Sequence, residues 1–483
     1  MGIGRGYNED KFVFIKIIIV MKKMILCLAS ILCLAQLSNA NDVLVSSVSL
    51  INPSTAGPLS THFSNVQFSI NWKNSWRTST NESNYDGCWI FVKYRKQSTS
   101  VWLQATINAT GQAAPVGSTV QPATDGKGVF MYRSADGIGD VNFTNAAIRW
   151  NYGADGVLDN ENVEIKVYAV EMVYVPQSPF NLGNASAENF KFRDGAVNTW
   201  YPITSENSIT CGLTAGNLSA AGNFLNSGSI PASFPKGFRA FWTMKYEFSR
   251  QQQLDFLNTL DQTSANLRNN IGAVGSVPAM TVPRPEEAAT GFSPLNMMAW
   301  LDWAAMRPLT EFEYEKACRG GNNTPSPLEF AWGNTSISPV SGGLNIGTST
   351  ETWTNGNAAY SGTGNAIIRC GALATSTSNR TQAGATFYGI MEMSGNAQEL
   401  VVFAGNTDGR GYTGAHGDGL LSASIEANTV GWPLLANPVG IVVRGGGFPS
   451  TPTFLQVSNR NVAPADYTID NALNGGRGAR TGE

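Results

Sequence analysis

Histidine is nearly absent from this chain: His62 and His416 are the only two in 483 residues. Three imidazole ligands therefore cannot be brought to one metal. A serine–histidine dyad would have to use His416, which lies in the glycine-rich stretch Gly411–Gly419. No G-x-S-x-G run supports such a hydrolase. Both histidines read as ordinary surface or core residues. Cysteine is scarce too: six occur, and none follows Cys370. The stretch Val442–Arg480 thus offers no thiolate for soft-metal or redox chemistry. Charge is sparse, at 14% of residues, with 32 basic against 35 acidic. No basic run occurs, so nucleic acid and anionic membrane surfaces are poor partners. What is abundant is small and polar: 51 glycines, with Asn, Ser and Thr throughout. A loop-rich, neutral-surfaced globular protein follows, long enough for two or three cores.

The segment Met21–Ala40 has the form of a secretory signal. Lys22 and Lys23 make a basic start, Ile25–Leu37 an apolar run, and Ser38-Asn39-Ala40 a small-x-small end. Cleavage is expected after Ala40, with residues 1–20 an upstream extension. The rival, one membrane helix over Phe12–Leu37, is interrupted by the two lysines. Neither Cys27 nor Cys33 has a lipoprotein context. The mature chain would carry 27 basic and 33 acidic residues, be exported to the periplasm, cell surface or medium, and have no transmembrane anchor. Its cysteines, Cys88, Cys211, Cys318 and Cys370, allow three pairings, among which sequence does not choose. Cys318 with Cys370 is favoured only by their sharing a domain. Cys88 reads as a small buried residue in an apolar strand.

Residues 41–170 alternate like strands. Val66, Phe68, Ile70 and Trp72 share one face, and Cys88–Arg95 (CWIFVKYR) is an apolar run. Short strands separated by polar turns predict an Ig-like β-sandwich. Nothing in it is catalytic; it reads as a docking module or a spacer. After it, Asn-, Ser-, Ala- and Gly-rich residues 184–234 read as an irregular insertion. Ser249 is an N-cap before the helical stripe Leu254, Leu257 and Leu260. Met297–Met306 is a second short helix. In Arg307–Gly321 (RPLTEFEYEKACRGG), Thr310 and Glu313 form a capping box, and Gly320 and Gly321 stop the helix. Carboxylates in that run are structural, not evidence of acid–base catalysis.

Five runs, in order, resemble the formylglycine-generating enzyme (sulfatase-modifying factor) family. They are Met172–Gly183 (MVYVPQSPFNLG), Phe238–Leu260, Arg307–Gly321, Phe330–Asn334 (FAWGN) and Tyr388–Leu400 (YGIMEMSGNAQEL). The resemblance covers roughly the last two-thirds of the chain. It implies an α+β domain over 171–483 with much irregular structure, related to C-type lectins. In that family a sulfatase cysteine is oxidised to formylglycine by copper held between two C-terminal cysteines. Here those positions fall near Ser450 and Leu455. A hydroxyl and an isobutyl group cannot hold Cu(I) as two thiolates do, so copper is not expected. The family's R-G-G-S serine is matched by Gly447 and an aromatic of its substrate wall by Gln398. The resemblance also implies structural calcium. Its first site carries over to the side chains of Glu392 and Glu399 and the carbonyls of Gly395 and Ala397, an oxygen set that suits a hard cation. A second site would begin at Asn345 and Ile346, with no convincing further ligands in 354–364.

The expectation is an exported, catalytically silent formylglycine-generating-enzyme-like protein, acting in ligand binding or envelope assembly with a protein or glycan at the cell surface. The segment Val442–Arg480, with Asn459, Asn461, Asn471 and Asn474, reads as a binding face or as plain loop. The alternative is a metal-dependent oxidase of the formylglycine-generating type with a non-standard active site.

Overall fold

The computed structural model describes residues 38–40 and 43–482, except 223, 224, 226, 322, 362–366, 376, 434–439 and 462–470. The expected leader over 21–37 lies outside the described residues. Among those described, no helix is long and apolar enough to cross a membrane.

Alternation builds the N-terminal half. In strand Phe63–Arg77 burial alternates strictly as far as Trp72, and Val66, Phe68, Ile70 and Trp72 are all buried. Strands Val43–Ser54 and Gly137–Trp150 pair antiparallel on its two sides. Strand Tyr85–Lys96 pairs along its whole length with Val163–Val175 and on its other side with Val129–Arg133. A single register pair, Arg77 with Tyr85, joins these two groups. The strands expected to form a separate sandwich therefore belong to one twelve-stranded sheet.

That sheet runs on into the C-terminal half. Val163–Val175 gives its free edge to Phe241–Met244, followed by Gly478–Thr481 and Arg307–Pro308. The expected boundary near residue 170 thus falls inside a paired strand. Burial on both faces explains the unbroken apolar text of Cys88–Val92. Cys88, Ile90, Val92 and Tyr94 join the core with Val66, Phe68 and Trp72. Trp89 and Phe91 turn instead to Trp300 and Trp303. The Trp89 indole N–H donates to the Ala304 carbonyl at 2.9 Å, and Trp303 meets Phe91 edge-on at 5.3 Å.

The helices start where their caps place them. Ser249 and Gln252 form a capping box on Arg250–Leu257, as Thr310 and Glu313 do on Glu311–Arg319. The helix expected at Met297–Met306 runs instead over Pro294–Trp303. Ser293 caps it earlier, and Ala305, at φ 53°, ends it. The insertion 184–234 contains paired ribbons, Phe192–Asp194 with Leu218–Ala220 and Ile209–Thr210 with Ser229–Ile230. Phe192, Leu218 and Ile230 bury in the main core, which holds this polar segment in place.

The favoured Cys318–Cys370 pairing is corrected: Cys88, Cys211, Cys318 and Cys370 are all free and buried. Cys318 packs with Tyr314 and Trp332, whereas Cys370 packs with Tyr246 and Met391.

Candidate functional site

The Tyr388–Leu400 run is pinned from all sides. Ser394 Oγ donates to the Leu455 carbonyl at 2.7 Å and accepts from the Ala331 N–H at 3.1 Å. Gly395 N–H reaches the Gly445 carbonyl, and Phe448 N–H the Asn396 carbonyl. The run is the keystone between Phe330–Asn334 and 444–455. Beneath it lies a buried ionic lattice. Arg444 bridges Glu311 and Glu315, Arg460 holds Glu311, and Arg307 holds Glu313. These carboxylates are structural partners, as their place in a capped helix predicts.

The four residues of the first expected calcium site are all buried: Glu392, Gly395 and Ala397 lie in a loop, and Glu399 lies in the strand Gln398–Val402 that follows it. Both oxygens of Glu399 are taken by Arg477, at 2.9 and 2.6 Å. Glu392, at φ 58°, accepts the Gly371 N–H through one oxygen, while its other oxygen is buried without a partner. Gly395 is at φ 101°, and the Ala397 N–H is given to Glu247 at 2.8 Å. Burial pushes the Glu392 carboxyl up to about 7; it also raises Glu399, against the pull of Arg477. Among the described residues no three His, Cys, Asp or Glu side chains gather as metal ligands. The donor set does not fit calcium here, because Glu399 already holds a cation. Asn345 and Ile346 sit elsewhere, on the exposed tip of the hairpin Ser341–Leu344 with Thr352–Asn355. The Asn345 carbonyl accepts from Thr348.

The two positions matching the copper cysteines are unlike each other. Leu455 is fully buried, inside the core with Tyr314, Tyr388 and Val457. Ser450 is half-buried, and its hydroxyl accepts the Gly447 N–H at 3.0 Å. Elsewhere, burial pushes the Cys318 thiol up to about 12 and Cys370 well above its ordinary value, so neither is a ready thiolate. His62 pairs with Asp159 at 2.8 Å, and His416 sits between Asp125 and Thr481. Of the four C-terminal asparagines, Asn459 and Asn474 are buried, so the set is not presented outward.

A cavity of about 370 Å³ opens where the end of strand Phe63–Arg77 and the loop after it meet the C-terminal half. Trp76, Glu82 and Asn84 line one side; Lys245, Tyr246, Arg380 and Phe387 line the other. Its seam is fastened by hydrogen bonds. Trp76 Nε1 donates to Asn84 Oδ1 at 3.3 Å, and Asn84 Nδ2 to the Tyr388 carbonyl at 2.8 Å. Gly389, at φ 80°, is required: a Cβ there would lie 2.8 Å from the Trp76 ring. At the floor the Lys245 ammonium bridges Asp86 and Glu171 at 3.1 and 3.0 Å and lies 4.9 Å from the Trp76 ring centre. Burial works against that charge, yet Glu171, Tyr246 and Asp86 outweigh it and raise the pKa. Arg380 is likewise committed, to the Cys318 and Ala331 carbonyls. Sequence reasoning missed Trp76, Glu82 and Lys245 as neighbours. Its one available signal was a lysine at the end of an apolar strand.

The family described as "Sulfatase-modifying factor enzyme 1-like domain" matches residues 168–477. Among solved structures, the chain is similar to "Treponema denticola variable protein 1" at 12% identity, over 65% of this chain and 96% of that one, with a TM-score of 0.32. It is also similar to "Major Tropism Determinant U1 Variant" at 13% identity, over 80% and 85%, with a TM-score of 0.22. No curated protein matches the chain. With nearly all of its C-terminal two-thirds matched, the chain belongs to the sulfatase-modifying factor enzyme 1-like family, without the two C-terminal cysteines of its oxidases.

Proposed function

We propose that this chain is an exported, catalytically silent member of its family that binds a neutral, hydroxyl-rich ligand, a glycan of the cell surface, in the cavity between Trp76 and Phe387. The observation that carries the silent half is Leu455, a fully buried aliphatic side chain where the oxidases place a thiolate. The ligand class follows from the lining. Lys245 and Arg380 are both committed internally, which leaves no cation for an anionic ligand. Half-exposed Trp76 and Phe387 supply ring faces; Thr78, Glu82 and Asn379 supply hydroxyl partners. Titration calorimetry of the full chain against a panel of neutral oligosaccharides tests this. Trp76→Ala should weaken any binding by about threefold to tenfold, from an aromatic contact of about 0.5–1.5 kcal/mol. Binding that ignores both Trp76→Ala and Glu82→Gln, or no binding across the panel, contradicts the reading.

A further inference from the structure

Arg477 is fully buried, and the hydrogen bonds of its guanidinium all go to oxygen. Nε and one terminal nitrogen grip Glu399 at 2.9 and 2.6 Å. The same terminal nitrogen gives its second N–H to the Met391 carbonyl at 2.8 Å. The other reaches the carbonyls of Met244 at 2.9 Å and Lys245 at 3.3 Å. A guanidinium has five N–H donors, and each has an oxygen here. Two carboxylate oxygens and three carbonyls, converging from two chain segments, the Tyr388–Leu400 run and Met244–Lys245, are the kind of shell a hard cation takes. The flanking glycines let the backbone come this close: a Cβ on Gly476 would lie 2.8 Å from Met297 Sδ, and one on Gly478 2.5 Å from Leu301 Cδ2.

We propose that the Arg477 guanidinium takes the place of a calcium ion at the Glu392–Glu399 loop, so that this domain fastens its keystone with a side chain and folds independently of calcium. A fixed internal cation frees the fold from the calcium concentration around it. It also explains why Glu399 is fully buried in a chain with so few charges.

The test uses the full chain, with thermal unfolding in EDTA and in millimolar calcium, and terbium luminescence as a direct readout of lanthanide binding. Wild type should show the same melting temperature in both and no stoichiometric terbium signal. Arg477→Ala should melt lower, and calcium should raise its melting temperature, because Glu399 is then left to the metal. Arg477→Lys, which keeps a cation but loses the fork, should melt lower than wild type and ignore calcium. If Arg477→Ala does not fold, wild type and Arg477→Lys decide the matter. A wild-type melting temperature lowered by EDTA, wild-type terbium binding lost in Glu399→Gln, an Arg477→Lys stabilised by calcium, or a folded Arg477→Ala blind to calcium overturns the proposal.

Discussion

Lowering the pH charges His416, and the fold opposes that charge. The ring accepts the Thr481 N–H through Nε2 at 2.9 Å, which leaves the Nδ1 proton facing Asp125 at 3.3 Å. Burial first, and the Arg480 guanidinium second, push its pKa down to about 4, against the attraction of Asp125. The unfolded histidine titrates near 6.5. Between those values the unfolded chain binds the proton that the folded chain refuses, so stability present above pH 6.5 is lost as the pH falls to 4. The difference of about 2.5 units corresponds to about 3 kcal/mol. Glu392, raised to about 7, acts in the opposite sense, adding stability as the pH falls from 7 toward 4.5. The contribution of His416 is therefore isolated by comparison with His416→Gln, whose amide oxygen can still accept from Thr481. Urea unfolding of both proteins from pH 7 to pH 4 is the assay. Wild type should lose about 3 kcal/mol more than the variant across the window. A difference between the two that stays flat with pH refutes the reasoning.

Lys245→Met should cost about 3–5 kcal/mol in urea unfolding, because it leaves Asp86 and Glu171 buried without their shared cation; a change below about 1 kcal/mol would contradict the bridge. Leu455→Ala should cost about 2–5 kcal/mol by opening a cavity in a closed core, read in the same experiment. A thiol reagent should leave Cys88, Cys211, Cys318 and Cys370 unmodified in the native chain and label all four after denaturation without reductant. Two labels instead of four would reveal a disulfide.

Local signals were legible in the sequence, and long-range ones were not. Val66, Phe68, Ile70 and Trp72 share a face because side-chain direction in a strand has period two, and Trp72 ends up as buried as that rule requires. The Thr310–Glu313 box is readable because its partners are three residues apart. Arg477 and Glu399 are far apart in the chain, and nothing local marks them as partners. A carboxylate in a loop reads the same whether it meets calcium or a guanidinium. The cavity escaped for a similar reason: Trp76 closes one strand and Phe387 follows a distant loop, and long-range links such as the pairing of Val163–Val175 with Phe241–Met244 and the Asn84–Tyr388 hydrogen bond bring the halves together. The helix at Pro294–Trp303 was misplaced because Ala305 carries no turn signature, although its backbone breaks the helix.

The central claim is that this family scaffold is kept while its oxidase chemistry is absent. The most direct measurement is the conversion of a cysteine-containing sulfatase peptide to formylglycine, followed by mass, with the full chain, copper and oxygen supplied. Leu455 is sealed in the core and Ser450 is bonded to the Gly447 backbone, so the expected result is no product above the no-protein control. Product formed in proportion to the protein added would contradict the account.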